Sequence, residues 1–225
     1  MKKFLVGGSV VMVIYIILVG GYYTYQKFGS TVQDITQKAV DTNDPKLCEG
    51  IGYSTPGNMC SLGSGCPDVG LCKYEVGIKN KNTSACFNMY SSLKIKCLAE
   101  SSNDPASDYK LCDQFTLSGS GIYDNGRCYG AFAGKLQSFE LCRGFQGRDS
   151  EARTVECVKN YVRTVADEKA CGYLASTNKI PSEYGSGIAD VCYLIVSDKL
   201  HDRTICNKIL SQVTKKSCLE ADFTF

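Results

Sequence analysis

Fourteen cysteines and one histidine, His201, are the residues of this 225-residue chain with the most distinctive chemistry. Thiols in that number can hold metal, carry electrons or close covalent bridges, and their spacing decides among these. Zinc sites present cysteines two to four residues apart with partners further along. This chain has no Cys-x-x-Cys, and its densest cluster, Cys60, Cys66 and Cys72, leaves five residues in each gap. The spacing therefore predicts no metal. It also lacks the short motif in which a low-pKa redox thiol normally sits.

Hydrolytic chemistry fares no better. His201, between Leu200 and Asp202, reads as a solvated turn residue, and the Gly-Ser-Gly phrases of the chain do not fit Gly-x-Ser-x-Gly. No P-loop lysine accompanies them. The reading is of a protein that is not an enzyme and takes no cofactor. What remains for the sulfurs is bridging, for which an even count and an oxidising compartment are the usual setting.

The order of the cysteines predicts the bridges. With Cys60 and Cys66 set aside, twelve fall into six couples: Cys48 with Cys72, Cys86 with Cys97, Cys112 with Cys128, Cys142 with Cys157, Cys171 with Cys192, and Cys206 with Cys218. Separations within couples vary from 11 to 24, whereas from one couple to the next the interval is 14, 15, 14, 14 and 14. One interval held constant while the other doubles is the mark of a repeated unit with a variable internal loop. Pairing across the constant interval is the other arrangement that respects the order, but it leaves Cys48 and Cys218 alone. Pairing within couples is therefore the reading, and Cys60 and Cys66 then close a small loop of their own inside the first unit.

The elements that position these sulfurs follow from the flanking residues. Four places before the first cysteine of each couple stand Asp44, Asn82, Asp108, Ser138, Asp167 and Asp202, all able to cap a helix start. Apolar residues lie one before and three after it, as a half-buried helix requires. Helical stretches also follow the second cysteine, as in "CYGAFAGKL" and "CVKNYVRTVA". Each unit reads as a helix, a loop and a second helix, and such hairpins bury their faces only by stacking. The predicted fold is all-α: an N-terminal transmembrane helix, then a disulfide-stapled, α-solenoid-like array of about six helical hairpins.

A three-fold super-repeat overlies the six units. The first, third and fifth carry the longest loops, with Gly63-Ser64-Gly65, Gly119-Ser120-Gly121 and Gly185-Ser186-Gly187, each followed by an aspartate, Asp68, Asp124 or Asp190. These residues are candidate binding loops. Their aspartates read as helix or loop structure first, and as the lining of a shared face second.

Residues 1–26 read as a membrane anchor, because Phe4 to Tyr25 is an uncharged run of 22 residues, long enough as a helix to span a bilayer core of about 30 Å. Lys2 and Lys3 place the N-terminus in the cytoplasm. Residues 27–43 form an amphipathic stalk and 44–225 an extracytoplasmic domain at the cell surface or in the periplasm. The 25 basic and 23 acidic residues nearly cancel, which disfavours nucleic acid as a partner. The expected function is a membrane-anchored scaffold for protein or glycan partners, with homo-assembly compatible with the array. The alternatives are a subunit of a surface filament or an enzyme with an unrecognised site.

Overall fold

The computed structural model describes residues 32–51, 67–115, 120–147, 149–176 and 187–221. The predicted membrane helix and the Cys60–Cys66 bridge lie outside these residues. Among the described residues every regular element is helical and no strand occurs, and no helix is long and apolar enough to cross a membrane.

Residues 32–42 form α1. The later α-helices are α2 (Pro67–Asn80), α3 (Ser91–Ser101), the single turn α4 (Pro105–Asp108), α5 (Ser120–Leu136), α6 (Ser150–Val165), α7 (Glu168–Ser176), α8 (Gly187–Leu200) and α9 (Gln212–Glu220). Between them stand 3-10 turns at Pro45–Gly50, Thr83–Cys86, Tyr109–Gln114, Phe139–Cys142 and Arg203–Lys208. The chain divides into two compact units, Met1–Leu93 and Lys94–Phe225.

The bridges fall within couples. Cys48–Cys72, Cys112–Cys128, Cys142–Cys157, Cys171–Cys192 and Cys206–Cys218 have Cα–Cα distances of 5.4 to 5.8 Å, inside the ordinary range. Cys86 and Cys97 are likewise oxidised, and no described cysteine is free. A bridge closing about 15 residues contributes on the order of 3 kcal/mol.

The first arm of each hairpin corrects the expectation of an α-helix. Only Cys171 sits in one, α7; the other five first cysteines lie in 3-10 turns of four to six residues. So short a segment cannot repay the cost of nucleating an α-helix, and the tighter turn takes its place. The second arm is α-helical throughout, and its buried face keeps one register. After Cys72, Cys128, Cys157 and Cys192 the fourth residue onward is Val76, Phe132, Tyr161 or Val196, each at most 2% exposed.

The constant interval has a backbone cause. Nine residues after the second cysteine the chain enters the left-handed region, at Lys81, Gln137, Ala166 and His201, and α1 ends the same way at Asn43. The following residue is the next cap. At four of these junctions its N–H closes back on the helix in a Schellman bond: Asp44 to the Ala39 carbonyl (3.0 Å), Asn82 to Gly77 (2.9 Å), Ser138 to Ala133 (3.0 Å) and Asp202 to Ser197 (3.1 Å). Asp44, Asn82, Asp167 and Asp202 then accept a backbone N–H two residues on.

Two predicted caps are corrected. Ser138 has the extended backbone but no side-chain bond. Asp108 is already helical, as the last residue of α4. Its junction is the one with the 15-residue interval, and Pro105 occupies the place where the other helices have their last hydrogen-bonded residue. Proline has no N–H to give, and it drives Asp104 out of the α region.

Within the first unit, Ala39, Val40, Cys48, Ile51, Cys72, Val76 and Ala85 form one core, so the segment expected as a stalk contributes two buried residues. Within the second, α5 and α6 approach backbone to backbone at Gly126 and Gly130, and Gly134 faces the Thr164 side chain. A Cβ on Gly130 would stand 2.3 Å from the Cys157 carbonyl oxygen, and one on Gly126 2.5 Å from that of Arg153.

Two measurements check this account. Gly130→Ala is expected to cost about 3 kcal/mol, since backbone cannot yield, whereas Gly70→Ala stays within about 1 kcal/mol of the parent, because its new Cβ meets only the Leu93 Cδ2 at 3.1 Å. Gln137→Gly is expected to stabilise the protein by about 0.5 to 1 kcal/mol, as glycine removes the left-handed strain at φ 51° and part of that gain is lost to its freer unfolded chain. Denaturant midpoints at unchanged slope read both.

Candidate functional site

The second and third Gly-Ser-Gly phrases run into helix starts. Gly63, Ser64, Gly65, Gly119, Gly185 and Ser186 lie outside the described residues; Ser120 and Gly121 open α5, and Gly187 opens α8. Their aspartates diverge. Asp68 and Asp124 precede the second cysteine by four residues, Asp190 by two, so Asp190 leaves its helix in another direction.

Asp190 is 1% exposed and accepts from the backbone N–H groups of Leu210 (2.8 Å) and Ser211 (2.9 Å). Ser211 in turn caps α9 through the Thr214 N–H. Asp124, 7% exposed, faces the Arg127 guanidinium at 3.6 Å. Asp68 is half-buried and lines a groove of about 460 Å³ with Asp34, Glu75 and Leu71 in the first unit.

A second set of long-range bonds follows the odd-numbered units. Asn80 donates to the Val40 carbonyl (2.8 Å), Lys135 to those of Ala99 (2.8 Å) and Ser102 (2.6 Å), and Lys199 to that of Arg163 (2.6 Å). In each case the end of a long helix reaches back to the carbonyl end of an earlier one, where amide and ammonium donors are favourable. The residues following paired cysteines also face one another: Glu49 with Lys73 (3.3 Å), and Asp113 with the Tyr129 hydroxyl (2.7 Å).

Between α5 and α6 lies a buried polar layer that the spacing of cysteines does not announce. Asn125, fully buried, donates to the Cys112 carbonyl (2.8 Å) and accepts from Arg153 Nε (2.8 Å). Arg127 Nε meets Glu156 at 2.9 Å, and Lys159 meets the other oxygen of Glu156 at 2.7 Å. Burial pushes the Glu156 carboxyl up, but the bonds from Lys159 and Arg127 outweigh it and hold the group below the usual carboxylate range. One sequence signal bears on this layer: Asn125 stands where the companion phrases have Val69 and Val191.

Above it run two aromatic groups. Tyr129 meets Phe145 edge-on at 5.0 Å and Tyr109 at 5.7 Å; Phe139 meets Tyr161 at 6.2 Å and Tyr173 at 5.7 Å. Each carries a guanidinium, Arg153 over Phe145 at 4.3 Å and Arg143 over Tyr173 at 5.1 Å and Phe139 at 5.4 Å. Burial, reinforced by the hydrogen bond to Asp113, raises the Tyr129 hydroxyl well above its ordinary value.

His201 holds the left-handed junction after α8. Among the described residues no group of three or more histidine, cysteine or acidic side chains is placed to hold a metal ion. No family model, curated protein or solved structure matches this chain.

Tyr161 supplies a pH test. Its hydroxyl donates to Asp167 at 3.1 Å, and burial, then the Asp167 charge, push it up to about 12, against about 10 for an unfolded tyrosine. The folded state thus favours the neutral phenol. Its contribution is fully present below pH about 10 and is lost as the pH rises toward 12. Denaturant midpoints measured from pH 8 upward are expected to fall above 10, and less steeply in Tyr161→Phe than in the parent.

Proposed function

We propose that the chain is a membrane-tethered, extracytoplasmic binding module, built as a solenoid-like array of disulfide-closed hairpins with a three-fold super-repeat, which takes a protein or glycan partner. The observation that carries this reading is the complete oxidation of the described cysteines, every one of them at most 1% exposed. Sulfurs so placed serve stability and are withdrawn from chemistry, and bridges in this number persist outside the reducing cytosol. The uncharged run from Phe4 to Tyr25 supplies the tether.

Further support comes from the odd-numbered units. Asn80, Lys135 and Lys199, each near the end of a long helix, bond back to main-chain carbonyls of an earlier segment. Repeat arrays offer an extended surface on which side chains vary without disturbing the fold. The arginine-carrying aromatic groups beside α5 and α6 are the elements of that surface with binding character, since tyrosine and arginine dominate the energetics of recognition sites.

The test is topological and is made on the full chain in cells whose cytoplasmic membrane is intact and whose outer envelope, where there is one, has been opened. The protein is expected to stay in the membrane fraction after alkaline carbonate, to lose its C-terminal domain to external protease, and to give a non-reducing peptide map with the six predicted couples. Free thiols in the natively isolated protein, or protection of the domain from protease, would refute the reading. An N-terminus found shortened in an assembled fibre would favour the filament subunit.

A further inference from the structure

Arg153 is a nearly buried cation with few partners among the described residues. It lies in the first turn of α6, is 9% exposed, and uses one of its five N–H donors on Asn125. Phe145 covers it at 4.3 Å. No carboxylate among the described residues pairs with it: Asp124 goes to Arg127, and Glu156 to Arg127 and Lys159. Withdrawing a guanidinium from water without a counter-charge is costly. Yet the terminal nitrogens are not sealed off, because among the described residues the one fully enclosed side-chain polar atom lacking a partner is Ser102 Oγ.

Beside this fork stands a half-buried row of rings, Phe145, Tyr129 and Tyr109, ending at the exposed carboxylate of Asp113, whose Oδ1 holds the Tyr129 hydroxyl. The row thus offers a forked cation, aromatic edges and faces, and a carboxylate acceptor. We infer that it binds a carboxylated saccharide, such as a uronic acid unit of a glycan, with the sugar carboxylate on Arg153, its C–H faces against the rings and its hydroxyls donating to Asp113. A planar fork matches a carboxylate with two parallel bonds. An acidic peptide fits less well, since its side chains bring no hydroxyl donors to meet the Asp113 oxygens. This inference rests on the binding-module reading and specifies its ligand.

The test is isothermal titration of the full chain in detergent with tetragalacturonate, maltotetraose and tetraglutamate. Tetragalacturonate is expected to bind, maltotetraose at least tenfold more weakly. Arg153→Lys, which keeps the charge and loses the fork, is expected to raise the Kd for tetragalacturonate at least tenfold with little change in that for maltotetraose. Asp113→Asn, at an exposed position, should weaken both sugars several-fold and leave the melting temperature unchanged, so that the assignment does not hang on how well the Arg153 variant folds. Equal affinity for the two sugars, tetraglutamate bound as tightly as tetragalacturonate, no binding of tetragalacturonate, or variants that bind it like the parent would each overturn the inference. The membrane and protease experiment is independent of these ligands and would still stand or fall by itself.

Discussion

A sulfur bridge between a turn and a helix is the constraint on which the rest of this architecture depends. Five of the six first arms are too short to be stable helices, and a single turn docked on a helix buries little apolar surface. The covalent link holds the two arms at a Cα–Cα distance of 5.4 to 5.8 Å where it is described. With that distance fixed, the first cysteine and its apolar neighbours, such as Ile51, Leu174 and Ile209, serve as core for the helix beside them. The loops between the cysteines are then free to differ in length, since the bridge and not the loop sets the relation of the arms.

The junctions between hairpins add a second constraint, made from backbone alone. A left-handed residue followed by an extended cap turns each helix directly into the next unit, and its hydrogen bonds count residues. The regular 14-residue interval was legible in the sequence for this reason, and Pro105 explains the single departure from it. The caps at Asp44, Asn82, Asp167 and Asp202 were legible too, because a short polar side chain before a cysteine has few other uses. The type of the first arm was not: capping residues and apolar spacing over four to six residues are the same for a 3-10 turn as for an α-helix.

The pairing of α5 with α6 escaped a reading centred on cysteine. Gly126, Gly130 and Gly134 repeat at four-residue spacing inside a stretch already assigned as helix, and that spacing is a packing signal only when the facing helix is known. Likewise Asn125 and Arg153, 28 residues apart, meet through a tertiary contact that no local pattern encodes. Asp124 and Asp190 lie in look-alike phrases, but two residues fewer before the cysteine rotate Asp190 to another side of its helix and give it the start of α9 to hold. Sequence likeness fixed neither the burial of these aspartates nor the groups they meet.

The bridges are all short-range along the chain, with 12 to 24 residues between the partners where they are described. A polypeptide emerging N-terminus first from a translocation channel would present both sulfurs of one couple before the next couple appears. Oxidation in order of emergence therefore yields the couples from Cys86 onward without editing by an isomerase; only the first couple, whose Cys48 and Cys72 enclose Cys60 and Cys66, has competing sulfurs between its partners. The same locality makes the chain modular in the genetic sense: gain or loss of a whole cysteine couple leaves every other sulfur with its own mate.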